Sequence, residues 1–302
     1  MCIFRYSCLR GYLTFTRAPP PFHVEHISAK LQFSIEKRCL SDYNNGTMSK
    51  VIALFNQKGG VGKTTTCVNL CCAFTDAGRR TLVVDCDPQG HSTAGLGINK
   101  QNAAPNTYHV LLEGVPAEKA VVQTPYGDVI PCNRDLFGSG IQLASAEGRE
   151  TVLREALKPL RDRYDFILID CPALLELLTL NALCAADSVL IPVQCEYLAL
   201  EGLSELMSTL RMVRKSLNPG LQVEGVVLTM FDGRTNLSPQ VAAAVKKHMK
   251  QSVFKTAIPR NVRLSEAPSH GMPVLRYDSS SRGAWAYRQL AEEIMAQNPK
   301  GR

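Results

Sequence analysis

Seven short runs of this chain are almost wholly apolar, and longer stretches with apolar residues three and four positions apart lie between them. The runs are Val51 to Phe55, Thr81 to Cys86, Val129 to Cys132, Phe166 to Asp170, Ser188 to Val193, Val223 to Met230 and Phe254 to Ile258. The helical stretches are Thr64 to Asp76, Glu147 to Leu160, Leu200 to Ser216, Pro239 to Gln251 and Gly283 to Ala296. Near-continuous apolar strands are buried on both faces, and their alternation with helices predicts an α/β fold. The expected architecture is a doubly wound, mostly parallel β-sheet with helices on both faces. Sheets of this kind bind ligands beyond the carboxyl ends of their strands, so chemistry is to be sought just after each apolar run.

After the first run, Lys58 to Thr65 read KGGVGKTT. Glycines at 59, 60 and 62 let a strand turn tightly into a helix, so that backbone N–H groups and the helix N-terminus point at a phosphate chain. Gly59, Gly60, Val61, Gly62, Lys63, Thr64 and Thr65 form the predicted cradle. Lys63 is placed to reach the β- and γ-phosphates, and Thr64 offers a hydroxyl to Mg²⁺, a cation that takes oxygen ligands. After the second run come Asp85 and Asp87, spaced so that an extended strand would project both to one side. One of the pair can order Mg²⁺ and its waters and the other can orient an attacking water. After the fourth, Phe166 to Asp170 delivers one carboxylate at a strand tip, the shape of a Walker B element.

Composition narrows the setting. The chain has 302 residues, 45% hydrophobic and 20% charged, which suits one α/β domain with an appendage. No apolar stretch approaches the roughly 18 residues of a membrane span. Of eleven cysteines, Cys67, Cys71, Cys72, Cys86, Cys171, Cys184 and Cys195 fall in apolar runs and read as small buried hydrophobes of a reducing cytosol. No CxxC pair occurs, which disfavours zinc or a cysteine-held cluster. Residues 1–47 carry six bases and three acids, a Pro19-Pro20-Pro21 break and no sustained periodicity, and they lack a clear secretory pattern. A targeting peptide is one reading; an in-frame extension or mis-assigned start before Met48, poorly ordered, is the favoured one, with the folded domain at 48–302. Residues 231–302 hold twelve bases and five acids, whereas residues 48–230 carry a net −3. A polyanion is the natural partner of that C-terminal quarter.

KGGVGKTT together with DCDPQGHST, IDCPALL and the late stretch IPRNVRLSEAPSHGMPVLRYDSSSRGAWAYRQLAEE resembles the ParA (Soj-type) branch of the ParA/MinD ATPases, whose loop is a deviant Walker A motif. The resemblance runs from Met48 to the C-terminus. It implies a slow, partner-stimulated ATP hydrolase that uses ATP and Mg²⁺ and acts in chromosome or plasmid partition. It further implies an ATP-dependent homodimer in which Lys58 reaches the partner's phosphates. By the same likeness Asp87 attends the catalytic water, Asp85 belongs to the metal shell, and Asp170 is the Walker B acid. Pro259, Arg260 and Asn261 would line the base pocket, although Asn261 also suits a turn. Arg234 and Arg263 match arginines with which relatives bind double-stranded DNA without sequence preference. Lys246, Lys247 and Lys250 add a weaker basic edge on one helix. The implied setting is a bacterial cytoplasm, associated with the nucleoid and not with membrane, and the implied stimulator is a ParB-like centromere-binding protein.

The chain also departs from that pattern. After Asp170-Cys171-Pro172, relatives usually continue with proline, serine and then a glycine, where this chain has Ala173, Leu174 and Glu176, so its nucleotide-sensing switch segment is expected to differ. Three alternatives stand beside the main reading. A MinD-like or other cargo-positioning ATPase would share the loop; the MinD-like form would end in an amphipathic membrane helix, and the final turns here are acidic. A cluster-bearing reductase would need Cys132 and Cys171 at a shared dimer face. A nucleotide-dependent switch with little hydrolysis is the third, and Glu176 favours it.

Overall fold

The computed structural model describes residues 49–249 and 252–299; the expectations for residues 1–47 and for Lys250 lie outside them. The strands are β1 (Lys50–Leu54), β2 (Thr81–Asp85), β3 (Val122–Thr124), β4 (Gly127–Ile130), β5 (Phe166–Asp170), β6 (Ser188–Gln194), β7 (Gln222–Phe231) and β8 (Val253–Pro259). They form one eight-stranded sheet in the order β3-β4-β2-β5-β1-β6-β7-β8. Every pairing is parallel except the hairpin β3/β4. The chain moves outward from β1 in one direction to β2 and later in the other to β6, so the crevice where a ligand can enter opens at the end of β1.

The helices are α1 (Lys63–Asp76), α2 (His91–Gly95), α3 (Thr107–Leu112), α4 (Ser139–Leu143), α5 (Val152–Leu157), α6 (Leu177–Ala185), α7 (Ala199–Ser216), α8 (Leu237–Met249), α9 (Val262–Glu266), α10 (Val274–Tyr277) and α11 (Arg282–Gln297). The strands divide their side chains between two cores. Val51, Ala53, Ile167, Ile169, Leu82 and Val84 face a layer that includes α3 and α5 to α8, and Ile52, Leu54, Leu168 and Val83 face α1 and α11. That two-sided burial is the physical reason the strands read as unbroken apolar runs.

The predicted sheet and its parallel character are therefore present, with differences at the margins. The hairpin strand β3 escaped notice because it is only three residues long and mostly exposed. The stretch Glu147 to Leu160 is helical only from Val152, and a 3₁₀ turn with Pro159 in it finishes the segment. Pro192 sits inside β6, where a missing N–H would ordinarily break a ladder. It is tolerated because β1 pairs with β6 no further than Leu190, and the Pro192 carbonyl accepts from Asn56 Nδ2 at 2.7 Å instead.

Candidate nucleotide site

The loop begins where β1 runs out. Asn56, 6% exposed, donates to the Pro192 carbonyl and its Oδ1 accepts from the Lys58 amide at 3.0 Å, which turns the chain off the sheet. Gly60 and Gly62 then take φ of 74° and 91°, left-handed values that a side chain resists. Gly62 caps α1, whose first turn holds no acidic residue, so the positive end of the helix is left for an anion. Ideal Cβ atoms placed on Gly59 and Gly60 would meet nothing within 4 Å; the space above the loop is open. Thr229 of β7 pins the loop from behind by donating to the Val61 carbonyl at 2.8 Å.

Lys63 lies 7% exposed, and its ammonium donates to the carbonyls of Asn56 (3.1 Å) and Lys58 (3.3 Å). Desolvation lowers its pKa, although the nearby Asp170 charge works the other way. The amine is thus buried at the loop with only neutral carbonyls as acceptors, a position in which phosphate oxygens would be the better partners.

Below the loop the carboxylates gather. Asp85 and Asp170 are aligned across β2 and β5, and both are fully buried. Asp170 Oδ2 accepts from Thr64 Oγ1 at 2.8 Å and Ser92 Oγ at 2.6 Å, while Oδ1 is buried without any hydrogen-bond partner. Asp85 Oδ2 accepts from the Thr93 amide (2.8 Å) and hydroxyl (2.7 Å), and its Oδ1 from the Asp87 amide at 3.2 Å. Burial raises Asp85 to about 7, helped by the Asp170 charge, and burial raises Asp170 to about 6 against the pull of its two hydroxyl donors. An all-oxygen set of Thr64 and Asp170, one carboxylate oxygen orphaned, fits a hard cation such as Mg²⁺.

The two acids that follow Val84 depart from the arrangement their spacing predicts. Asp85 and Asp87 do not share the face of an extended strand, because β2 ends at Asp85. Asp87 sits in the following turn, half-buried, with its Oδ1 accepting from the Gln89 amide at 2.9 Å. The turn splits the two acids into a buried one and one open to solvent. Asn56, Ser92, Thr93 and Thr229 were not singled out from sequence; the spaced hydroxyls of DPQGHST after a strand were the available signal for Ser92 and Thr93.

Lys58 is exposed and forms an ion pair with Glu196 of its own chain, just ahead of α7. Pro259 ends β8, and Asn261 Oδ1 accepts from the Arg263 amide at 2.8 Å, so that oxygen caps α9. Arg260 is exposed beside it, its amide donating to the Phe231 carbonyl.

Comparison with known proteins gives this geometry its family. The AAA domain family matches residues 49–223. The sporulation initiation inhibitor protein Soj of Bacillus subtilis is 53% identical over 82% of this chain and 99% of its own. The chain belongs to the ParA/Soj partition ATPases. The chromosome partitioning protein ParA of Myxococcus xanthus is 50% identical over 82% of this chain and 89% of that one. A crystal structure of cobyrinic acid a,c-diamide synthase from Mycobacterium smegmatis, with ADP and magnesium bound, superposes with a TM-score of 0.74 at 38% identity, covering 84% of this chain and 97% of that one.

Within the ParA/Soj framework two surfaces flank the site. The loop that carries Arg234 and the short link into α9, whose first turn carries Arg263, leave adjacent strands at one end of the sheet, since Phe231 is aligned with Pro259. Arg234, 88% exposed, forks onto Asp232, and Arg263 pairs with Glu266 and Asp278. Lys246 and Lys247 are exposed on α8. On the other flank the divergent segment after Pro172 presents Leu174, 64% exposed, and Leu175, while Glu176 stands ahead of α6 without a side-chain cap.

Proposed function

We propose that this partition ATPase is a switch in which ATP and Mg²⁺ close a homodimer that holds double-stranded DNA, and hydrolysis releases it. The observation that carries the reading is the convergence of Thr64 and the half-satisfied Asp170 beneath a loop whose glycines leave room for phosphates. Gly59 to Thr65 cradle the phosphates, and Lys63 exchanges its two carbonyl acceptors for phosphate oxygens. Thr64 and Asp170 would hold Mg²⁺, with Asp85 behind them adding its charge. The cation's role would be to neutralise charge on the β- and γ-phosphates. Asp87, the acid left open to solvent, orients the attacking water. Pro259, Arg260 and Asn261 receive the base.

Lys58 carries the dimer half of the proposal. Its ammonium is already at the surface and held by one carboxylate, Glu196, from which a partner's phosphates can draw it. Arg234, in the loop after β7, and Arg263, in the first turn of α9, supply non-specific DNA contacts, and a ParB-like protein stimulates an otherwise slow hydrolysis. The cellular setting that follows is the nucleoid in a bacterial cytoplasm. Among the described residues no helix is long and apolar enough to cross a membrane. A MinD-like membrane helix finds no support in α11, whose apolar side, including Tyr287, Leu290 and Ile294, is packed into the core. Cys132 and Cys171 are likewise fully buried and offer no shared face for a cluster.

The test is DNA retention by the Asp87→Ala protein. With ATP and magnesium it should stay on non-specific duplex longer than the wild type, and Lys58→Ala should abolish the nucleotide effect. Equal dwell times for Asp87→Ala and wild type would refute hydrolysis-driven release.

A further inference from the structure

At the opposite end of α1 from the phosphate loop lies a second cavity, of about 380 Å³. The helix has 14 residues, so about 21 Å separates its two ends. The cavity opens at the amino ends of β2 and β4, and its wall includes Thr75, Arg79, Arg80, Asp128, Arg163 and Tyr164. Three arginines and one carboxylate, Asp128, thus line it, and that carboxylate already accepts from the Tyr164 hydroxyl at 2.7 Å.

The three arginines are not equally occupied. Arg80 pairs with Asp165 at 3.4 Å, whereas among the described residues Arg79 and Arg163 form no ion pair. Beside them the Thr75 hydroxyl oxygen is buried without a hydrogen-bond partner. Basic residues after a helix C-terminus are favourable in themselves, because they oppose the helix dipole. That accounts for Arg79 and Arg80. It leaves out Arg163, which comes from the turn before β5, and the unsatisfied hydroxyl of Thr75.

We infer that this cavity is a second anion site, for a small ligand that carries a diphosphate. Planar guanidinium forks bind phosphate oxygens bidentately, and with Arg80 held by Asp165 the cavity still offers Arg79 and Arg163 beside a lining carboxylate, Asp128, that Tyr164 already occupies. The volume falls within the usual range of small-ligand pockets, roughly 300–1,000 Å³. The cavity shares no residue with the nucleotide site, and α1, which begins at the phosphate loop and ends here, joins the two.

The test is calorimetric titration of the full chain, its phosphate loop saturated with ADP and magnesium, with inorganic pyrophosphate in one arm and CDP in the other. One further equivalent should bind, and Arg79→Ala/Arg163→Ala should weaken it roughly tenfold for each guanidinium removed. Retained ADP binding in the variant reports an intact fold, and Arg163→Gln alone makes the same test with less disturbance. Tighter binding of CDP assigns the site to a nucleotide; tighter binding of pyrophosphate assigns it to a free oligophosphate. No further equivalent in either arm, or binding indifferent to both variants, would overturn the site.

Discussion

Asp85 and Asp170 sit side by side in the core, where a carboxylate is costly unless something positive stands beside it. Their folded-state values, about 7 and about 6, lie above the ordinary 3.8. In that window the native state binds more protons than the unfolded chain, so these groups favour folding at low pH. Their contribution is lost as pH rises from about 4 to about 7. The ligand-free protein should therefore lose stability over that interval, and Asp85→Asn should flatten the dependence in thermal melts. On the proposed reading Mg²⁺ with nucleotide draws on the ionised pair, so ADP and magnesium should raise the melting temperature more at about pH 8 than at about pH 6. A ligand-induced shift that is the same at both would count against cation binding at Asp170. The run FILID and the acids of DCDPQG marked these positions in the sequence, but the orphaned Oδ1 is visible only after Thr64 and Ser92 have arrived from other segments to occupy Oδ2.

At the scale of elements, the sheet has an open edge at β8. Glu293 of α11 covers part of it: its carboxylate accepts from the amides of Lys255 and Thr256, each at 2.8 Å, and from the Thr256 hydroxyl. Unpaired edge amides invite a foreign strand, and a carboxylate from the covering helix blocks that pairing. Glu293→Ala should cost about 1–3 kcal/mol, the loss of the acceptor for the two part-buried Thr256 donors and the exposed Lys255 amide. For a domain of this size that corresponds to about 2–4 °C in melting temperature per kcal/mol. A melting temperature unchanged in the variant would show that water serves these amides equally well. The main strands were legible because their two-sided burial writes continuous apolar runs. The short helices α2, α3, α4 and α9, at most six residues each, were not, since a single turn has no periodicity to read.

For the whole molecule the decisive property is the separation of its charged regions. Arg234 in the loop after β7 and Arg263 in α9 follow neighbouring strands, each tied to local carboxylates that phosphate oxygens would have to displace. Replacing either with alanine should weaken binding of the ATP-bound protein to duplex DNA of any sequence. Each change should also reduce the slope of log affinity against log salt by about 1, one phosphate contact fewer. An unaltered slope in both variants would count against DNA contact at these arginines, and the exposed Lys246 and Lys247 of α8 would be the next to replace.

The sequence by itself determined the fold class, and it located the glycine-rich turn and the strand-end acids, because each is encoded locally: an apolar run, glycines where a backbone must turn left-handed, a carboxylate at a strand tip. The front lysine, Lys58, also stood out at once. Tertiary structure alone decided which acid is buried and which is open, what holds Lys58, and that Arg79, Arg80 and Arg163 meet around a cavity. Those outcomes depend on partners brought together from distant parts of the chain, such as Thr64 with Asp170 and Lys58 with Glu196. Hydrogen-bond satisfaction and burial are properties of such assembled neighbourhoods, and they exist only once the sheet has brought its strand ends to one level.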